Sequence, residues 1–372
     1  MRVIKINEPC IGNEEIEAIV NVLKSGILSN RNGSGPVVSS FEKKFANYVK
    51  AKYAVAFCNG TAALHAALLS IGVKAGDEVI VPSFTFSATA NAVVLTGAKP
   101  IFADIDESTY CVTSESIQKV ITRKTKAIIP VHLYGLPADL GPIIEIAHKY
   151  DAYVIEDAAQ AHGAIYKDKK IGCIGDLTCF SFYAGKNMTT GEGGIVTTND
   201  EELYNNLRTI RSHGEEKPYW VTRLGHNYRM PELSAAVGLA QLDKLPSFLE
   251  KRRKNAKLLT EILQSIKKLI LPVEPEERKH SWYLYTVRLK GANVAKRNKI
   301  VKKLREKGVE ASIYYEVPIH LLPFYEREFG CKKGMCPESE KAARQVFSLP
   351  IHPKVSDKDL EYIGDALKRI LR

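Results

Sequence analysis

One lysine stands where an ordinary lysine would gain nothing. Lys186 lies in SFYAGKNMTTGEGG, Ser181 to Gly194, between a short aromatic run and a loop, and four of the chain's 25 glycines share that stretch. A flexible, solvated ammonium has no use for such a setting, whereas a lysine that must become a neutral nucleophile needs shelter, fixed geometry and close backbone approach. Three companions precede it in the chain. Asn59-Gly60-Thr61, in CNGTAALHAALL, come immediately before a helical pattern. Free backbone N–H groups and the helix dipole there make either an anion site or an ordinary N-cap, and Gly60 would allow close approach to the backbone. Glu156-Asp157 end an apolar run in YVIEDAAQAHGA, so a carboxylate there holds either a protonated heteroaromatic nitrogen or the turn that follows. Phe84 and Phe86, in PSFTFSATANAV, serve either to cover a planar ring or to pack a core.

An anion cup, a ring-stacking aromatic, a carboxylate for a ring nitrogen and a lysine amine are what pyridoxal phosphate requires of a protein. The elements that must position them are written as an α/β alternation. Short apolar runs predict buried strands at DEVIVPSF, KPIFADID, KAIIPVHLYG, AYVIEDAAQ, LTCFSFY and GGIVTTND, with helices between them at TAALHAALLSIG and LGPIIEIAHKYD. That alternation predicts a mostly parallel sheet covered by helices, with chemistry at the carboxyl ends of the strands. Beyond Pro231 one long helical stretch follows, with Pro246 as its expected kink or break. It leads to a smaller part with strands at SWYLYTVRLK and EASIYYEVPIH. The expected division is a large domain over residues 1–247, N-terminal segment included, and a smaller α+β domain over 248–372.

Composition bounds the function. The chain has 372 residues, 45% of them apolar, enough for a large core. The opening MRVIKINEPCIGNEE has no apolar signal segment, and no apolar run approaches the roughly 20 residues of a spanning helix, so a cytoplasmic protein without a membrane partner is expected. The formal charge of +11 raises nucleic acid as a partner. Yet the densest basic run, LEKRRKNAK from Leu249, reads as a solvated helix face, and aromatics do not interleave the basic runs, so no nucleic-acid partner is expected. A modest positive field equally suits a small diphosphate-bearing substrate. Of seven cysteines only Cys331 and Cys336 lie close together, without the histidines or second cysteine pair of a zinc site; reduced thiols and no metal are expected.

GTAALHAAL, VPSFTFSATANAVVLTGAKPIFADID, EDAAQAHGA, SFYAGKNMTTGEGG and GHNYRMPELSAAVGLAQL resemble, in the same order, the DegT/DnrJ/EryC1/StrS family of sugar aminotransferases. The resemblance runs from SGILSNRNGSGPVVSSFEKKFANYV to FSLPIHP. It implies the aspartate-aminotransferase-like architecture, fold type I of the pyridoxal-phosphate-dependent transferases. It implies that Lys186 is the Schiff-base lysine, that Asp157 bonds the pyridine nitrogen, and that Gln160 lies beside the ring oxygen. Phe86 would stack on the ring, while Gly60, Thr61 and Ala62 at the helix start, with the hydroxyl of Ser181, would take the phosphate. Asn227, in HNYRM, would reach the phosphate of a neighbouring subunit, making a homodimer with shared active sites. Arg229 and His320 match family positions near the substrate, His320 being equally readable as a hydrogen-bonded histidine on a turn. Cys58-Asn59 stands where family members commonly carry small residues, which leaves the phosphate contacts on that side open.

The implied reaction moves an amino group from L-glutamate to a nucleotide-linked keto sugar. Lys186 stands where some relatives carry histidine and run dehydrations, which favours amino transfer. TTGEGG after Lys186 is similar to the subgroup that aminates C4 of nucleotide-linked 4-keto-6-deoxyhexoses, the perosamine-synthase kind. A 3-keto sugar or a keto-inositol is the alternative acceptor. A non-enzymatic sensor of pyridoxal phosphate or a sugar nucleotide is the alternative class.

Overall fold

The structure is a computed structural model that describes residues 3–29 and 35–372. Residues 30–34, inside the N-terminal motif that begins at Ser25, and residues 1–2 lie outside the described residues. Seven strands form the main sheet: β1 (Tyr53–Phe57), β2 (Glu78–Pro82), β3 (Lys99–Ala103), β4 (Thr125–Ile128), β5 (Tyr153–Asp157), β6 (Leu177–Ser181) and β7 (Gly194–Thr198). Their order is β1-β7-β6-β5-β4-β2-β3. Strands β3, β2, β4, β5 and β6 run parallel. Only β7 is reversed, pairing antiparallel with β6 and β1. The parallel strands are apolar without alternation because helices cover both faces; β6 and β7 are buried along their whole length.

Short crossovers bring three strand ends together at one edge. β2 stops at Pro82, β5 at Asp157 and β6 at Ser181. The helix Gly60–Ser70 starts just after β1 and is buried nearly all round, its alanines letting it lie close against the sheet. Two glycines set that approach. A Cβ on Gly60 would sit 2.7 Å from Ser181 Cβ, and one on Gly194 would sit 2.4 Å from the Asn59 carbonyl oxygen. Only the missing side chains allow the helix start and the end of β6 to touch.

The helix Glu232–Leu263 is continuous through Pro246, where a kink or break was expected. Proline removes one N–H and crowds the carbonyl four residues back. Packing overrides that here: Ala235, Leu242 and Leu245 belong to the core under the main sheet, while Ala256, Leu259 and Leu263 belong to a second core. That second core fills the space between helices and a three-stranded antiparallel sheet of Leu269–Ile270, Tyr285–Leu289 and Val346–Leu349.

EASIYYEVPIH, expected as a strand, is not one; it has a single bridge, Ser312 to Ser348. Its backbone leaves the small sheet for the edge of the large one, where Ile319 N–H donates to the Ser83 carbonyl at 2.8 Å. Its adjacent tyrosines, Tyr314 and Tyr315, line a cavity instead of pairing with a neighbouring strand. Among the described residues no helix is long and apolar enough to cross a membrane, and no cluster of three or more His, Cys, Asp or Glu side chains could hold a metal ion.

Candidate active site

A cavity of about 800 Å³ opens at the carboxyl edge of the main sheet, and Lys186, Asp157, Gln160, Ser181, Phe86 and the helix start Gly60–Ala62 all line it. Asn59 shapes the helix start: with extended backbone, its Oδ1 accepts from Ala62 N–H at 2.8 Å. The Ala62 amide, expected to serve an anion, is therefore already engaged as a capped N–H. The amides of Gly60 and Thr61 precede it in the first turn, where no intrahelical acceptor exists. Ser181 ends β6 beside them, against Gly60. Asn59 caps the helix, and the turn it caps faces the cavity.

Alternation along β5 separates its two carboxylates. Glu156 is fully buried and turned from the cavity, accepting from His132 Nε2 at 2.8 Å, the Gly175 amide at 2.7 Å and Thr178 Oγ1 at 2.9 Å. Because Ala138 N–H donates to His132 Nδ1, the proton of that ring lies on Nε2. Asp157 is the one that lines the cavity. Thr89 Oγ1 donates to its Oδ2 at 2.8 Å and the Ala159 amide to its Oδ1 at 3.1 Å. Burial nevertheless raises its pKa above the ordinary 3.8, against those hydrogen bonds and the charge of Lys186. A buried carboxylate in that condition is stabilised by a further cationic N–H placed against it.

Lys186 lies open to the cavity yet deep in the fold, its Nζ 4.8 Å from the centre of the Tyr283 ring. Burial lowers its pKa from 10.5 to about 8, and Asp157, Tyr183 and Glu192 oppose the shift. The shift gives the amine a far larger neutral fraction near neutral pH than an ordinary lysine has, and the neutral form is the one a nucleophilic or proton-moving amine requires. The loop is fixed around it: Lys186 N–H donates to the Tyr183 carbonyl at 2.9 Å, and Asn187 Nδ2 to the Ser281 carbonyl at 3.0 Å. Gln160 Oε1 accepts from Tyr134 N–H at 2.7 Å, and its Nε2 donates to the Tyr315 hydroxyl at 3.2 Å. Phe86 is 58% exposed, its ring in the cavity, while Phe84 is fully buried against Tyr110 and Tyr315. Of the two phenylalanines, one covers the cavity and one packs the core.

Three expected residues lie outside this cavity. Asn227 is exposed on a segment bridged to Ser212, and Arg229, half-buried, is bridged to Phe57. His320 is fully buried, with Nδ1 2.5 Å from Ser83 Oγ and Nε2 3.3 Å from Glu340 Oε1. With both ring nitrogens occupied and no surface, it cannot touch a substrate; the turn histidine is the reading that holds. The sequence reading missed Thr89, Tyr183, Glu192, Tyr228, Tyr283, Tyr314 and Tyr315, which also line the cavity. The adjacent tyrosines Tyr314 and Tyr315 were the available signal, and they resemble strand residues.

The family model of the DegT/DnrJ/EryC1/StrS aminotransferase family matches residues 9–368. The GDP-perosamine synthase of Escherichia coli O157:H7 is 36% identical over 370 residues, 99% of this chain and 98% of that protein. Among solved structures, DesV of S. venezuelae, in complex with a ketimine intermediate, superposes with a TM-score of 0.92 at 37% identity, covering 97% of this chain and 95% of that one. Spr1654 of Streptococcus pneumoniae superposes in its PMP-form with a TM-score of 0.94 at 30% identity, covering 99% of this chain and 98% of that one. It has also been solved in a PLP-form.

Proposed function

The chain belongs to the DegT/DnrJ/EryC1/StrS aminotransferase family, whose members use pyridoxal phosphate, and from that premise we propose that it moves an amino group from L-glutamate to C4 of a nucleotide-linked 4-keto-6-deoxyhexose. The observation that carries the reading is a lysine with a pKa near 8 beside a buried aspartate, in a cavity with a glycine-built anion cradle. Those residues fit the cofactor: a Cβ on Gly60 would fill the cradle, and the Asp157 carboxylate gains from a protonated ring nitrogen.

When bound, pyridoxal phosphate supplies a carbonyl that condenses with amines and a ring that accepts the electron pair left at Cα. The chain's own groups do the rest. Gly60 and Thr61 amides with the Ser181 hydroxyl hold the phosphate, and Phe86 covers one ring face. Asp157 keeps the ring nitrogen protonated. Gln160, its amide oriented by Tyr134 and Tyr315, lies beside the ring oxygen. Lys186 Nζ, once neutral, takes the proton from Cα of the amino donor and returns it. Ligand pockets run to about 300–1,000 Å³, so a cavity of about 800 Å³ accommodates a sugar beyond the cofactor.

Among the described residues Lys186 is the one cationic side chain that lines the cavity, so the diphosphate of a nucleotide sugar needs cations from beyond that lining. A homodimer meets that need. Asn227 and Arg229 lie outside their own chain's cavity, near an exposed hairpin, Glu215–Val221, with Lys217 on it and Tyr219 81% exposed. In the proposed dimer this region completes the cavity of the partner.

The test is a visible spectrum of the purified protein with pyridoxal phosphate, followed by L-glutamate and then a panel of ketones. A band near that of bound pyridoxal phosphate that bleaches with glutamate and returns with a nucleotide-linked 4-keto-6-deoxyhexose supports the full reading. Return only with a 3-keto sugar or a keto-inositol replaces the acceptor. A band indifferent to every amino donor overturns amino transfer and leaves a sensor.

A further inference from the structure

His320 is fully buried, yet its partners lead back to the cavity. Glu340 Oε1 accepts from His320 Nε2–H, which leaves Nδ1 as the acceptor for the Ser83 hydroxyl. Burial lowers the pKa of the imidazole below its ordinary 6.5, with Glu340 opposing, so the ring is neutral and this tautomer is fixed. Ser83 is the first residue after β2 and opens the loop that ends in Phe86. The Ser83 carbonyl accepts from Ile319 N–H at 2.8 Å and its N–H donates to the Ala103 carbonyl at 3.0 Å. Its hydroxyl contact with His320 therefore completes a set of fastenings in which every polar group of Ser83 is held.

Phe86 has little hold of its own. Its ring is more than half exposed, and its nearest aromatic neighbour is Tyr315, with centroids 6.1 Å apart and planes tilted by 33°. Where that ring sits is decided by the backbone beneath it, fixed at one end by Ser83 and at the other where Thr89 N–H donates to the Phe86 carbonyl at 3.2 Å. Glu340 is in turn anchored. Its helix, Pro337–Gln345, starts on Asp104 just past β3, whose carboxylate accepts from the Glu338 and Ser339 amides at 2.8 Å each.

We propose that the buried Glu340–His320 pair is a positioning device that clamps Ser83, and through it sets the pose of Phe86 over the cofactor ring. The assignment rests on the cofactor site proposed above. His320 acts through Ser83 and touches neither cofactor nor substrate.

The histidine's two hydrogen bonds can be removed separately. In His320→Asn the amide oxygen takes the place of Nδ1 and keeps the bond to Ser83; in His320→Gln the amide nitrogen takes the place of Nε2 and keeps only the bond to Glu340. Ser83→Ala removes the clamped hydroxyl without disturbing the histidine's volume, and serves if the histidine variants fail to fold. Cofactor-free protein is titrated with pyridoxal phosphate, and affinity, band position and thermal midpoint are recorded. Losing one buried hydrogen bond corresponds to about a fivefold to tenfold change. Ser83→Ala and His320→Gln are expected to weaken affinity by about tenfold and to shift the band, and His320→Asn to stay within about twofold of wild type. A wild-type band with three variants that lower only the thermal midpoint overturns the clamp and leaves a structural histidine. A wild-type protein that forms no band overturns the cofactor site, and the clamp with it.

Discussion

Lys186 owes its chemistry to the end of β6. The strand carries the chain into the interior, the glycine-rich loop returns it as β7, and the lysine between them is left under protein with few charges to support it. Its amine is therefore expected to capture pyridoxal phosphate with a rate that rises with pH around a midpoint near 8 and not near 10.5, because only the unprotonated form attacks. The sign of the Asp157 effect follows. That carboxylate favours the ammonium, so Asp157→Asn should move the midpoint lower, though it weakens cofactor binding. Stopped-flow growth of the visible band against pH measures both; a wild-type midpoint above 10 contradicts the burial assigned to Lys186. At this scale the cavity lining was partly legible: Lys186, Asp157 and Phe86 were singled out by residue type and position, Gln160 and Ser181 by the resemblance, and all five line the same cavity. What was not legible is which hydrogen-bonding groups are already taken. The Ala62 amide is used by Asn59, and His320 is used twice, and only three-dimensional partners reveal that.

Elements were legible where burial alone dictates them. Six of the seven strands of the main sheet fall on the short runs expected as strands; β1, YAVAF, was not among them, because its two alanines weaken the strand signal. Reading failed where side chains serve a cavity. Tyr314 and Tyr315 give EASIYYEVPIH the look of a strand, but their purpose is the cavity wall, and the backbone beneath them bonds to unrelated partners. At Pro246 the helix runs on without the break that a proline can cause, since a helix anchored in two cores survives one lost donor. The cost remains, however. Pro246 is exposed and inside Glu232–Leu263, so Pro246→Ala restores the N–H and relieves the crowded carbonyl at little loss of packing. The proline's restriction of the unfolded chain offsets part of the gain, leaving a stabilisation of about 1–2 kcal/mol. A urea-unfolding midpoint that rises confirms a regular helix; one that falls shows that the proline's bend is needed by the cores at its two ends.

The whole molecule has surfaces that one chain does not explain. Tyr219 is 81% and Leu224 76% exposed, with Trp220 and Val221 also uncovered, an apolar cluster of the kind that marks an interface. Asn227 lies beside it, outside its own chain's cavity. The exposed cluster was not in the periodicity of the sequence, and the proposed role of Asn227 came from the resemblance alone, because residues whose partners would lie on another chain leave no pattern within their own. Complementation between inactive variants decides it. Lys186→Ala loses the amine, and Asn227→Asp sets a carboxylate against the phosphate it is proposed to bind, so each homodimer should be nearly inactive. If Asn227 acts across the interface, a dimer with one chain of each kind has one wholly intact site: the Lys186 of the Asn227→Asp chain, served by the Asn227 of the other. Random reassociation makes half the dimers mixed, and one of their two sites active, so about a quarter of wild-type activity returns on mixing. If Asn227 serves its own chain, every site in the mixture carries a lesion, and unfolding, mixing and refolding the two variants together restores nothing.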